Sequence, residues 1–194
     1  MKSYSIDRRI EIDTGHRVPL HKSKCANIHG HRYVIEAICK SEILPDEGEQ
    51  QGMVVDFGFL KEEMMTEIHV PCDHATIFSI RDPMLHDLFE IEIMKTVVDS
   101  VEAFGNCMIV RNYWKVYVIE GPPTAEVLAE HWYNRLVDRV FLRSAGLAHL
   151  SAVRVHETPN CSAIYMPSKT AIALLIEQAR ANLNTEIEEG VPSR

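Results

Sequence analysis

The chain has 194 residues, 46% of them hydrophobic and 25% charged, with a formal net charge of −8 when histidine is neutral. That length suits one well-buried domain, and the acidic balance argues against a nucleic-acid backbone as partner. No apolar run approaches the roughly 20 residues that span a bilayer, and the opening MKSYSIDRRIEID lacks the apolar stretch of a signal peptide, so a cytoplasmic protein with no membrane partner is expected.

Residues 3–18 alternate polar and apolar around Ile6, Ile10 and Ile12, which predicts a half-buried strand. Residues 31–42 alternate again and predict a second strand, after a polar loop punctuated by Pro19 and Gly30. Asp46 to Gly52 reads as a turn, and MVVDF as a short strand. Asp56 is placed to cap a helix through FGFLKEEMMTEIH, with Leu60, Met64 and Ile68 on one face and Pro71 as its breaker. Residues 82–104 predict one long helix, opened by Asp82-Pro83 and stopped by Gly105. Residues 108–120 predict a strand, and Thr124 caps a long helix with Glu126 in its positive first turn. Two short strands across a Pro-Asn turn fill 150–167, and 169–189 predict a last amphipathic helix. The order implies an α+β domain: one antiparallel sheet with helices on one face.

Five cysteines, an odd number with no CxxC pair, argue for reduced thiols rather than a disulfide framework. The densest chemistry lies in Gly15-His16-Arg17 and Cys25-Ala26-Asn27-Ile28-His29-Gly30-His31. His29 and His31 are two apart, so on a strand both rings point to one side. If strands 3–18 and 31–42 pair antiparallel, His16 comes back opposite them. Three imidazoles on one face suit Zn²⁺ and leave a tetrahedral position open, the mark of a catalytic site. Iron, cobalt and nickel suit the same donors. Cys25 has three readings: a fourth ligand closing a structural site, a thiolate general base beside the metal, or an inert loop thiol. Asp73-His74 can form a proton-relay pair in which the carboxylate fixes the tautomer. Glu157, at a strand end, can accept two parallel hydrogen bonds from an N–C–N edge, although a solvated glutamate is the plainer reading there. Glu126 is most simply a helix-dipole residue.

These residues fall into an ordered set: His16-Arg17, Cys25 with His29-Gly30-His31, Gly52-Met53-Val54-Val55-Asp56-Phe57, Asp73-His74, Pro123-Thr124-Ala125-Glu126, and Glu157-Thr158 followed by Tyr165. The set resembles the 6-pyruvoyltetrahydropterin synthase / 6-carboxytetrahydropterin synthase family, from about Ile10 to Tyr165. The resemblance implies that His16, His29 and His31 bind zinc and that Cys25 is the catalytic thiol. It implies that Asp73 and His74 form a dyad supplied by a neighbouring subunit, that Glu157 anchors the pterin and that Thr124 touches its ring. It implies the tunnelling fold, an antiparallel sheet backed by helices and joined between subunits into a barrel, as a homo-trimer or a hexamer of two stacked rings.

Three residues separate Cys25 from His29. A longer spacer is typical of the synthases making the pyruvoyl product, so the resemblance points to the 6-carboxytetrahydropterin synthases of the queuosine and deazapurine route. Cys25 itself argues against a folate-route subgroup with Glu at that place. The implied reaction is zinc-dependent conversion of 7,8-dihydroneopterin triphosphate to 6-carboxy-5,6,7,8-tetrahydropterin, acetaldehyde and triphosphate. The alternatives are triphosphate elimination to the pyruvoyl product and a non-catalytic, zinc-stabilised pterin-binding oligomer. Departures from the family pattern are an insert at about 79–118, a C-terminal helix at about 168–190, and Ala75 with Ile77-Phe78 after the Asp-His pair.

Overall fold

The computed structural model describes residues 2–111, 113–168, 170 and 174. The expected C-terminal helix at 168–190 lies almost wholly outside the described residues. Strands β1 (Tyr4–His16) and β2 (His29–Ser41) form a long antiparallel hairpin. Ile10 and Ile12 of β1 and Tyr33, Ile35, Ala37 and Cys39 of β2 are buried on one face, as the alternation requires.

Asp56 accepts from the backbone N–H groups of Gly58 and Phe59, starting α1 (Phe57–Met64). The chain continues through a π-helical turn (Met65–His69) into α2 (Val70–Cys72). Pro71 therefore does not break the helical path. It sits in the first turn of α2, where a missing N–H is tolerated. The stretch MVVDF is not a strand: Val54 and Val55 are neighbours in sequence and both buried, a pattern that fits a loop pressed on the core rather than an alternating strand.

A strand absent from the sequence reading, β3 (Thr76–Ser79), follows and runs parallel to β1. The expected helix over 82–104 divides into α3 (Pro83–Leu88) and α4 (Ile91–Phe104). Phe89 between them is extended, at φ −126° and ψ 144°, and its buried ring stacks on Trp114 at 5.9 Å. Gly105 ends α4 in the left-handed region at φ 77°, as predicted. The expected strand over 108–120 is instead a hairpin of β4 (Asn106–Arg111) and β5 (Trp114–Ile119), with Arg111 paired directly to Trp114. Helix α5 (Ala125–Arg143) and strands β6 (His149–Thr158) and β7 (Cys161–Tyr165) match their predictions.

The seven strands form one sheet in the order β4-β5-β3-β1-β2-β6-β7. It is mixed rather than antiparallel, because β3 runs parallel to both its neighbours. Helices also cover two faces instead of one. Helices α1 and α5 pack on the face carrying Ile12, Tyr33, Tyr117 and Ile119. Leu85, Phe89, Met94 and Val97 of the 79–118 segment pack with Phe78, Val116 and Val118, which alternate to the opposite face. The architecture is α+β. Among the described residues no helix is long and apolar enough to cross a membrane.

Candidate metal and pterin site

The β1–β2 register sets His16 directly opposite His29 and Thr14 opposite His31. All three imidazoles lie at the hairpin's end on the α5 side of the sheet. One ligand nitrogen from each of His16, His29 and His31 falls within 4.8 Å of the others. Gly30 stands between two of them where a side chain would crowd: a Cβ there meets the Thr14 carbonyl at 3.1 Å.

Hydrogen bonding fixes which nitrogens are free. His16 Nδ1 is 2.7 Å from the Pro123 carbonyl and His29 Nδ1 is 2.8 Å from the Asn27 carbonyl. A carbonyl only accepts, so both Nδ1 atoms carry the proton and both Nε2 atoms present lone pairs. His16 is 2% exposed, and burial pushes its imidazole below the ordinary histidine range, favouring the neutral, ligating form. Three converging imidazoles, two of them with tautomers fixed by backbone carbonyls, fit a zinc ion.

Cys25, on a single 3₁₀ turn (Lys24–Ala26), lines a cavity of about 250 Å³ together with His16, Thr124 and Glu157. Thr124 caps α5 as predicted, its hydroxyl accepting from Val127 N at 3.4 Å, and it faces this cavity. Glu126 of the first turn lines it too. Glu157 Oε1 lies 3.6 Å from His16 Nε2 and 3.9 Å from His31 Nε2, so the carboxylate sits against the triad, not free in solvent.

Asp73 and His74 are not among the residues lining this cavity. His74 Nδ1 donates to Asp73 Oδ2 at 2.8 Å, while Asp73 Oδ1 accepts from Asp13 N at 2.9 Å. Burial raises the Asp73 carboxyl, but the Asp13 N–H and His74 outweigh it and hold the group below its usual range. His74 adopts φ 57°, a left-handed conformation, and its side chain is 78% exposed.

Tyr33 is the residue that the sequence reading passed over. Its ring is fully buried, and its hydroxyl lies 3.1 Å from His16 Nε2 and 3.2 Å from Glu157 Oε1. Burial raises its phenol far above the ordinary range, so it is a proton donor. The signal was present: Tyr33 follows His31 by two on β2 and so shares its face.

The model of the 6-pyruvoyl tetrahydropterin synthase family matches residues 5–168. The chain belongs to that family. It is 32% identical over 154 residues to a 6-carboxy-5,6,7,8-tetrahydropterin synthase of Rickettsia conorii, covering 79% of this chain and 94% of that one. A protein of the same name from Aquifex aeolicus is 34% identical over 125 residues, 64% of this chain and 63% of the other. In fold, this family member is similar to an uncharacterized protein of Wolinella succinogenes, with TM-score 0.65 and 21% identity over 87% of this chain and all of that one. It is also similar to the 6-pyruvoyl tetrahydropterin synthase of Caenorhabditis elegans, with TM-score 0.53 and 22% identity over 87% and 98% of the two chains. At those identities the structural likeness concerns the fold alone.

Proposed function

We propose that this family member is a zinc-dependent lyase converting 7,8-dihydroneopterin triphosphate to 6-carboxy-5,6,7,8-tetrahydropterin, with release of acetaldehyde and triphosphate. The observation that carries the reading is the convergence of His16, His29 and His31 on one point beside a cavity lined by Cys25 and Glu157. The three-residue spacer between Cys25 and His29 favours the carboxy product and the queuosine route, and the similarity to 6-carboxy-5,6,7,8-tetrahydropterin synthases favours the carboxy product.

In this reading Glu157 accepts two hydrogen bonds from the N–C–N edge of the pterin, and Thr124 contacts the ring. That anchoring holds the side chain against the triad and Cys25. Zinc held by His16, His29 and His31 would supply a Lewis acid that lowers the cost of negative charge on side-chain oxygens. Cys25, as thiolate, takes a proton from the substrate side chain. His74, oriented by Asp73 through Nδ1, offers its Nε2 outward and relays protons in a neighbouring subunit's site.

A homo-oligomer follows from the same reading. Strand β1 pairs with β3 only at Gly15 and His16, so its edge over Tyr4–Asp13 has no strand partner among the described residues. Strand β7 closes the other end of the sheet, and its outer edge has no strand partner among the described residues. Two such edges, joined between copies, extend the sheet around a ring and bury both. Trimer and hexamer are both built from that joint, within the cytoplasm expected of a queuosine-route enzyme.

The test is incubation of zinc-loaded protein with 7,8-dihydroneopterin triphosphate, with products resolved by chromatography and mass. Carboxy-tetrahydropterin and acetaldehyde are expected. A pyruvoyl product overturns the spacer argument while leaving the residue roles intact. Absence of turnover with pterin bound overturns the enzymatic reading in favour of a pterin-binding oligomer.

A further inference from the structure

Tyr33 touches both halves of the site. Its ring meets His16 and His31 edge-on, at 5.7 and 5.6 Å between centroids, and leaves the side chain no freedom to swing. Its hydroxyl lies within hydrogen-bond distance of two acceptors, His16 Nε2 at 3.1 Å and Glu157 Oε1 at 3.2 Å. His16 Nε2 is a true acceptor because the imidazole proton is held on Nδ1 by the Pro123 carbonyl. Two acceptors therefore compete for a single phenolic proton.

Metal coordination decides that competition. Once the lone pair of His16 Nε2 is committed to a metal ion, the acceptor left to Tyr33 is Glu157. We infer that Tyr33 is a positioning residue that couples metal occupancy at His16 to the hydrogen-bonded state of Glu157, so that loading the triad tightens the protein's hold on a pterin ring. The inference rests on the metal and pterin roles proposed above. A carboxylate oxygen accepts more than one hydrogen bond, so Oε1 receives Tyr33 and still serves the ring's N–C–N edge. The bond from an immobile donor fixes the carboxylate in advance and removes part of the ordering cost of binding. A charge-assisted bond is also stronger than one to a neutral imidazole. By linkage, a bound ring must tighten metal binding by the same factor.

The probe is pterin without a side chain, which can reach Glu157 but offers the metal no hydroxyl. Its fluorescence is titrated against wild-type and Tyr33→Phe protein, each zinc-loaded and chelator-stripped. Wild-type protein is expected to bind the ring about fivefold more tightly when loaded, and Tyr33→Phe to bind it equally in both forms. Competition with a chromophoric chelator should show zinc affinity rising by the same factor in saturating pterin, for wild type only. Equal ring affinity with and without zinc in wild type overturns the coupling, and that comparison stands even if the variant misfolds. A coupling that survives in Tyr33→Phe assigns it to another residue and also overturns the inference. If the ring binds neither form of wild type, the pterin reading itself fails and takes the inference with it.

Discussion

His16 and His29 are direct register partners across the β1–β2 hairpin, and their rings lie 4.5 Å apart between centroids. Backbone pairing, rather than any loop conformation, thus sets the spacing of two candidate ligands. Removing either should abolish metal binding without unfolding the sheet. His29→Ala is expected to lose its zinc, as read by metal analysis after gel filtration. With zinc at a thousandfold its Kd, chelation should lower the Tm of wild type by roughly 10 °C, and should leave the Tm of His29→Ala unchanged.

Cys25 is read as a base and not as a ligand. Cys25→Ala should therefore keep about one zinc per chain while turnover falls by roughly a hundredfold or more. Full turnover in that variant would falsify the thiol's role, and loss of zinc would instead make Cys25 a fourth ligand.

His74 is exposed and does not line its own chain's cavity. If it serves a neighbour, Cys25→Ala and His74→Ala are each inactive alone yet complement one another when mixed. Random reassembly of equal amounts should restore about a quarter of wild-type activity, because each site needs one intact half from each of two subunits. A mixture as inactive as its components would place the dyad and the thiol in the same chain's site.

Asp82 joins the 79–118 segment to the site. Its carboxylate is fully buried, caps α3 through Met84 N at 2.9 Å, and lies 3.3 Å from Arg17 Nε, next in sequence to the candidate ligand His16. Asp82→Asn keeps the cap but leaves the half-sheltered guanidinium uncompensated, and should cost about 3 kcal/mol in denaturant titration. Asp82→Ala should cost about 1 kcal/mol more, the worth of the cap.

His131 predicts a pH dependence. Burial, followed by the nearby Arg135 charge, lowers its imidazole to about 4, and its Nε2 lies 2.8 Å from the Tyr117 hydroxyl. A depressed folded value means that the unfolded chain binds the proton first. The stabilisation is complete above about pH 6.5, the unfolded value, and is lost as pH falls towards 4. Across that window metal-free wild type should lose of order 2 kcal/mol more than His131→Gln, measured by denaturant titration at a series of pH values.

Which parts of this were legible in the sequence follows from how each segment is buried. Strands β1 and β2 alternate because one face meets α1 and α5 while the other does not, and that period is readable. Strand β3 has four residues, three of them buried in a row, because helices cover both its faces. Its pattern carries no period to detect. The break at Phe89 was hidden because apolar residues recur at helical spacing on both sides of it, and only stacking on Trp114 shows that the chain turns there. The Arg111–Trp114 reversal lacks the glycine that usually marks a tight hairpin. Within the site, the imidazole triad was readable from an i, i+2 spacing and one antiparallel pairing. Tyr33 shares that spacing, but a buried tyrosine on a core strand looks like packing until its hydroxyl's neighbours are known.

The hairpin register also orders events along the folding chain. His16 and His31 are fifteen residues apart and meet through a local turn, whereas Glu157 reaches them only when β6 docks on β2, more than a hundred residues later. Contacts so different in sequence separation form on different timescales. The imidazole pairing therefore rests on a contact of short sequence separation and the carboxylate contact on one of long separation. Glu157 thus joins the three imidazoles only in the finished sheet.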